Sequence, residues 1–336
     1  SSRYPVSAGA SIYVHHGFGR KSISQIVGFL MILSALLSSA TLARGGVGYF
    51  QEIAPVNTTL IIILLFLVLG AFVAWGITST ARLAGLFTLV ELIGLGLIIW
   101  SGRNELIQPE SYTGFLSLSL TSLTPILLGA FLAFYAYIGF EDMVNVAEEV
   151  KAPKKTMPKA LLLSLIISTI MYLLVVVVAT NALPIPELAA SNAPLSLVFS
   201  RLANTNPLMI TLIGIASAIN GILVHIVLVS RVLYGMASRG WVHRSLGRVH
   251  SNTQTPLIAT GLTISVMMIT ALSLPLISLA QLTSWTVLGV FSLVNGALVI
   301  IKLHKHQAHN AIAVPIWVPA LGMLTCLGLI IYQLLA

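Results

Sequence analysis

Three acidic residues lie inside long apolar runs of this 336-residue chain: Glu91, Glu141 and Asp142. An ionisable group within hydrocarbon is costly, so such residues tend to mark ion or substrate paths and proton relays. Glu141 and Asp142 close the run Phe134-Tyr-Ala-Tyr-Ile-Gly-Phe-Glu-Asp142, in a stretch too long for one straight crossing. Gly139 lowers helix propensity by about 1 kcal/mol relative to Ala. One reading is a helix broken near the bilayer midplane, whose freed backbone groups and half-helix ends form a ligand site. The other is a continuous helix with both carboxylates displaced toward the cytoplasmic interface, since Gly is common in membrane helices.

Glu91 sits in Thr88-Leu-Val-Glu91-Leu-Ile-Gly94. It reads either as a protonatable group coupled to a transport cycle or as a hydrogen-bonded Glu that holds two helices together. His225 could relay protons or could be a packing histidine. Ser217 and Asn220 could line an ion or substrate path, or could permit close helix packing, as could Ser34, Ser38, Ser39 and Thr41. His304, His306 and His309 have a spacing that could hold a metal, but they sit in a basic loop without a nearby carboxylate, and a solvated loop is the reading adopted. No metal site and no cofactor is expected. There is no nucleotide-binding loop, nucleophile elbow, HExxH or paired catalytic carboxylate motif, so the chain is not expected to be an enzyme.

The elements that must position these residues follow from composition. Hydrophobic residues make up 57% of the chain and charged residues 8%, against roughly a quarter in soluble domains. Lipid is the solvent that accommodates such a chain, and helices are the open option for a backbone that must satisfy its own hydrogen bonds there. Nine spans are expected, at about 22–50, 58–78, 81–101, 123–150, 158–183, 207–237, 256–274, 277–304 and 314–335, in a single membrane domain covering 1–336. With segment 1–21 in the cytoplasm, 14 of the 17 lysines and arginines fall on the cytoplasmic side; Arg44, Arg103 and Arg201 fall outside. That asymmetry is the positive-inside pattern, and it accounts for the formal charge of +8 without a nucleic-acid partner. The lone Cys326 excludes a disulfide framework.

The stretch Tyr135-Ala-Tyr-Ile-Gly-Phe-Glu-Asp-Met-Val-Asn-Val-Ala-Glu-Glu-Val-Lys-Ala-Pro153, followed by Lys-Lys-Thr-Met-Pro158, resembles the sixth helix and following loop of the amino acid–polyamine–organocation permease family. Ser230-Arg-Val-Leu-Tyr-Gly-Met-Ala-Ser-Arg-Gly240 and Thr255-Pro256 resemble the end of its eighth helix and the start of its ninth. Ser1-Ser-Arg-Tyr-Pro-Val-Ser-Ala-Gly9 resembles the loop after its second helix, and Ser39-Ala-Thr-Leu-Ala-Arg44 its third helix. The resemblance implies an all-α, polytopic, leucine-transporter-like inverted-repeat fold, with the nine spans as family helices 3–11. The first two helices, and the last, are then expected to be absent.

The same resemblance implies roles. Tyr135 would match an aromatic that caps the substrate. Tyr137, Ile138, Gly139 and Phe140 would match an unwound segment whose carbonyls receive the substrate amino group. Glu141 would match an acidic position implicated in gating or proton response. Glu91 departs from relatives that carry a lysine on the fifth helix, so the lysine mechanism is not carried over. The expected function is secondary active transport of amino acids or related amines by alternating access, coupled to H+ or Na+ or run as exchange, in a lipid bilayer such as a prokaryotic inner membrane or a plasma membrane. The alternative is a non-transporting fragment or degenerate paralogue lacking the first broken helix.

Overall fold

The computed structural model describes residues 9–76, 80–107, 123–238, 240–251, 253–304 and 314–335. Arg239, Lys305, His306, His309 and the segment 1–8 lie outside them. Among the described residues all regular structure is helical. The α-helices are α1 (Gly9–Phe18), α2 (Lys21–Ile53), α3 (Thr58–Ala74), α4 (Thr80–Ser101), α5 (Leu123–Ala133), α6 (Pro153–Ala182), α7 (Ile185–Ala190), α8 (Pro194–Ala203), α9 (Leu208–Ser238), α10 (Leu257–Ser273), α11 (Leu276–Leu303) and α12 (Trp317–Leu335). Short 3₁₀ segments occupy Phe134–Tyr137, Phe140–Glu149 and Arg244–Gly247.

Among the described residues six stretches are long and apolar enough to cross a membrane: α2, Leu123–Val144, α6, α9, α11 and α12. The apolar α3 and α10 have 17 residues each, roughly 25 Å of helix and the bottom of the spanning range. Leu162, Ile166, Ile170 and Leu173 of α6 are each more than half exposed. Their spacing forms a stripe that water would not tolerate and lipid does. The chain is an all-α, multi-pass membrane protein.

Local chemistry sets several boundaries. Asn57 caps α3, its side-chain oxygen accepting from Thr59 N at 2.8 Å and Leu60 N at 3.4 Å. Pro194 opens α8, and Asn204 closes it in the left-handed region at φ 49°. The helices α7 and α8 lie in what the apolar pattern leaves as a connection. They are too short to span, and α8 is held by buried Ser196, whose Oγ lies 3.0 Å from Thr211 Oγ1 on α9.

The chain forms two compact units. One comprises residues 1–35, 121–168 and 280–336; the other comprises residues 36–120 and 169–279. The first unit has a core of Val14, Val27, Val290 and Ala297, which fastens α1 and the start of α2 to α11. In it, Phe131 of α5 packs edge-on against Trp285 of α11, with ring centroids 5.7 Å apart. In the second unit α9 packs against α3, α4, α8 and α10. Its core includes Ile98, Val178, Leu183, Val198, Phe199 and Ile210.

Within the second unit, Arg44 of α2 ties down the end of α10. Its Nε donates to Ala271 O at 2.5 Å and its terminal guanidinium nitrogen to Leu272 O at 3.0 Å. These carbonyls belong to the last turn of α10, which has no intrahelical donors for them, and a cation there also complements the helix dipole. Arg44→Met keeps the apolar stem and removes both bonds. It is expected to cost about 2 kcal/mol and to lower the melting temperature in detergent by a few degrees; an unchanged melting curve would show that the two bonds contribute nothing net.

Candidate functional site

The helix that begins at Leu123 does not continue through Glu141. α5 ends at Ala133, and one 3₁₀ turn covers Phe134–Tyr137. Ile138 is then extended at φ −68° and ψ 138°, and Gly139 adopts φ +120°. A second helical segment, 3₁₀ in form, starts at Phe140. The break therefore falls at Ile138–Gly139, and the continuous-helix reading is replaced by the broken one. A Cβ at residue 139 would meet nothing within 4 Å, so glycine is needed there for its backbone conformation and not for space.

The break is held by a small set of hydrogen bonds. Ile138 N donates to Tyr135 O at 3.1 Å, closing the first half, and Asp142 N donates to Gly139 O at 3.1 Å, opening the second. Glu141 turns back so that its Oε2 accepts the Gly139 N–H at 2.9 Å. Gly139 is thus the cap of the second segment, and the carboxylate satisfies a backbone donor that the interruption leaves without a helical partner. The negative charge also lies at the positive end of that segment.

Packing in the first unit fixes both sides of the break. Phe291 of α11 stacks against Phe134 before it, at 6.0 Å, and against Phe140 after it, at 5.6 Å between centroids. A cavity of about 280 Å³ adjoins the second segment, and Tyr13, Ser34, Phe140, Glu141, Asp142 and Asn295 are among the residues that line it. Burial pushes the Tyr13 phenol up to about 12, so it remains a neutral hydrogen-bonding group at physiological pH. Phe291, Tyr13 and Asn295 carry no mark of this role in the sequence. Phe291 and Asn295 sit in an apolar run like any other, and Tyr13 lies in a stretch that reads as a polar connection.

Glu91, Ser217 and Asn220 come together in the second unit. Asn220 Nδ2 on α9 donates to Glu91 Oε1 on α4 at 3.3 Å. Ser217, one turn earlier on α9, lies beside the same carboxyl group. Close approach of the two helices permits this. A Cβ added at Gly94, one turn beyond Glu91, would sit 2.9 Å from Ile213 Cγ2 of α9. His225 is buried on α9, and His304 lies exposed at the end of α11.

An all-helical membrane chain with one helix interrupted at a glycine, and with carboxylates held on both units, has the make-up of a transporter. A family model described as amino acid permease matches residues 1–335, and the chain belongs to that family. It is 26% identical over 358 residues to the branched-chain amino acid permease BcaP of Bacillus subtilis (strain 168), an alignment covering 98% of this chain and 75% of that protein. It is 23% identical to the methylthioribose transporter of the same organism, with 97% of this chain and 73% of that protein covered. Cationic amino acid transporter 4 of Mus musculus is 26% identical, with 90% of this chain and 51% of that protein covered. The chain thus spans about half the length of this last relative.

The geometry predicts separate consequences for changes at Glu141 and at Gly139. Glu141→Ala removes the acceptor of the Gly139 N–H, so amide exchange at residues 138–142 should rise clearly above wild type while α9 and α10 keep their protection. Unchanged exchange in this stretch would mean that the carboxylate does not hold the break. Gly139→Ala forces a β-carbon onto a left-handed backbone and should cost roughly 1–3 kcal/mol, read as a lower melting temperature of otherwise intact protein.

Proposed function

We propose that this chain carries the transport function of a secondary transporter that moves amino acids or related amines across a membrane by alternating access. The interruption at Ile138–Gly139 is the observation that carries the reading furthest, with family membership beside it. A zwitterion or organic cation faces a large desolvation cost in hydrocarbon. A broken helix offers what the bilayer lacks: backbone groups without helical partners and the charged ends of two half-helices. In this proposal Tyr137, Ile138, Gly139 and Phe140 receive the substrate amino group, and Tyr135 packs over it as an aromatic cap. Glu141 has two parts, holding the break through Gly139 and setting the local negative potential for a cationic group.

Glu91 is the proposed coupling residue. It is half-buried on apolar α4, and the hydrogen bond from Asn220, with the Ser217 hydroxyl beside it, gives the charged carboxylate partners that a protonated one would use differently. Coupling to H+ follows most directly from such a group; Na+ coupling and exchange are the competing modes. The membrane is proposed to be a cell membrane, with segment 1–21 on the cytoplasmic side, as the distribution of lysine and arginine suggests.

Labelled amino-acid flux into proteoliposomes tests the reading, with a panel of neutral, cationic and sulfur-containing amino acids and simple amines. Saturable uptake of at least one amino acid or amine is expected, and no flux with any of them would reject transport by this chain. Glu141→Gln should lower flux at least tenfold while insertion and folding persist, because the amide keeps an acceptor oxygen but loses the charge. Glu91→Gln should flatten the pH dependence of uptake, whereas a wild-type pH profile would leave Glu91 with helix pairing as its role.

A further inference from the structure

A cavity of about 530 Å³ in the second unit lies away from the Glu91 pair, at the end of the unit where the C-termini of α3 and α9 meet the N-terminus of α10. Phe72, Val227, Arg231, Tyr234, Thr253 and Thr260 are among its lining residues. Its wall is built rigidly. Thr255 Oγ1 donates to Ala74 O at 3.0 Å, Thr253 and Thr255 hydroxyls lie 2.7 Å apart, and His250 N donates to Thr255 O at 3.0 Å. Gly76, at φ +87°, lets the end of α3 lie directly against the Thr253 carbonyl, where a Cβ would clash.

Two groups in this cavity ask for a ligand. Thr260 is 1% exposed, and its Oγ1 has no hydrogen-bond partner among the described residues. Arg231, exposed at the opening about two turns inside the end of a spanning helix, makes no ion pair or hydrogen bond among them. The segments that form the cavity hold no carboxylate at all: the sequence has no Asp or Glu after Glu187, and none between Glu52 and Glu91. Arg244 and Arg248, both exposed, add positive charge on the same connection. The rim is apolar, with Phe72, Tyr234 and Val249 each about two-fifths exposed, and Trp75, next to Gly76 at the end of α3, is exposed as well. Trp and Tyr at this level suit the membrane interface, and the basic side is the cytoplasmic one.

We propose that this cavity binds an anionic phospholipid of the cytoplasmic leaflet. The phosphate pairs with Arg231, a headgroup or ester oxygen meets the Thr260 hydroxyl, and an acyl chain lies along Phe72 and Val227. An unpaired arginine facing an anionic lipid headgroup between helix ends is favourable by charge and by hydrogen bonding alike. A free phosphate would satisfy the arginine but leave the apolar wall uncovered, and a zwitterionic lipid would bring its own cation against Arg231.

The test is native mass spectrometry of the full chain, released from detergent after incubation with phosphatidylglycerol or phosphatidylcholine. Wild type should retain one phosphatidylglycerol in clear preference to phosphatidylcholine. Arg231→Gln should weaken phosphatidylglycerol retention about five- to tenfold. Val249→Glu, an exposed change that places a carboxylate at the rim without disturbing the core, should do the same, and Arg103→Gln at a distant exposed position should not. Equal retention of phosphatidylglycerol by wild type, Arg231→Gln and Val249→Glu would overturn the proposal, as would an equal loss in Arg103→Gln. Displacement of the lipid by millimolar inorganic phosphate alone would overturn it too, by assigning the cavity to a soluble oxyanion.

Discussion

Within hydrocarbon a polypeptide must satisfy its own backbone, and one bond shows what this protein does where it cannot do so by helix alone: the Gly139 N–H donating to the Glu141 carboxylate. The helix is interrupted where a positive φ at Gly139 follows an extended Ile138, and the interruption leaves donors and acceptors that water would ordinarily cover. Glu141 covers one of them from within the same strand of chain. Phe291 then grips Phe134 and Phe140, on either side of the break, so that the opened segment has a fixed shape rather than a range of them. A site made from backbone is only as specific as the packing that holds the backbone still, and the aromatic contacts supply that stillness.

The second unit solves a related problem by different means. A carboxylate on the apolar helix α4 is tolerated because α9 presents Ser217 and Asn220 on one face, and because Gly94 lets the helices approach. At one end of the unit Arg44 closes the last turn of α10. At another, Thr255 closes the last turn of α3. Arg44 and Thr255 thus answer helix-end carbonyls that have no intrahelical donor, which is the pattern expected where lipid excludes water.

Much of this was legible in the residues themselves. Composition alone establishes an all-helical, multi-pass membrane protein, and the motif around Gly139 points to the amino acid permease family, to which the chain belongs. The break itself was one of two readings, because a glycine in an apolar run is as often a packing residue as a hinge; the backbone angle at residue 139 decides between them. The partner of Glu91 could not be read at all. Asn220 lies 129 positions away, and nothing in the local pattern of either helix points to the other. The role of Phe291 was hidden for a similar reason, since one phenylalanine in an apolar helix resembles the rest until its neighbours are known. The short helices α1, α7 and α8 were also missed as helices, because none is long enough to span and each lies in a segment that reads as a connection.

The central claim is that the opened segment around Gly139 receives the substrate. Alkylation of a cysteine placed at Tyr137, in protein whose single native cysteine has been replaced by serine, reads this most directly. With a transported amino acid present the rate should fall several-fold, with half-protection at the concentration that half-saturates uptake, while a cysteine at exposed Leu163 on α6 should react at an unchanged rate. Equal alkylation of Tyr137→Cys with and without saturating substrate would place the substrate elsewhere and contradict the account.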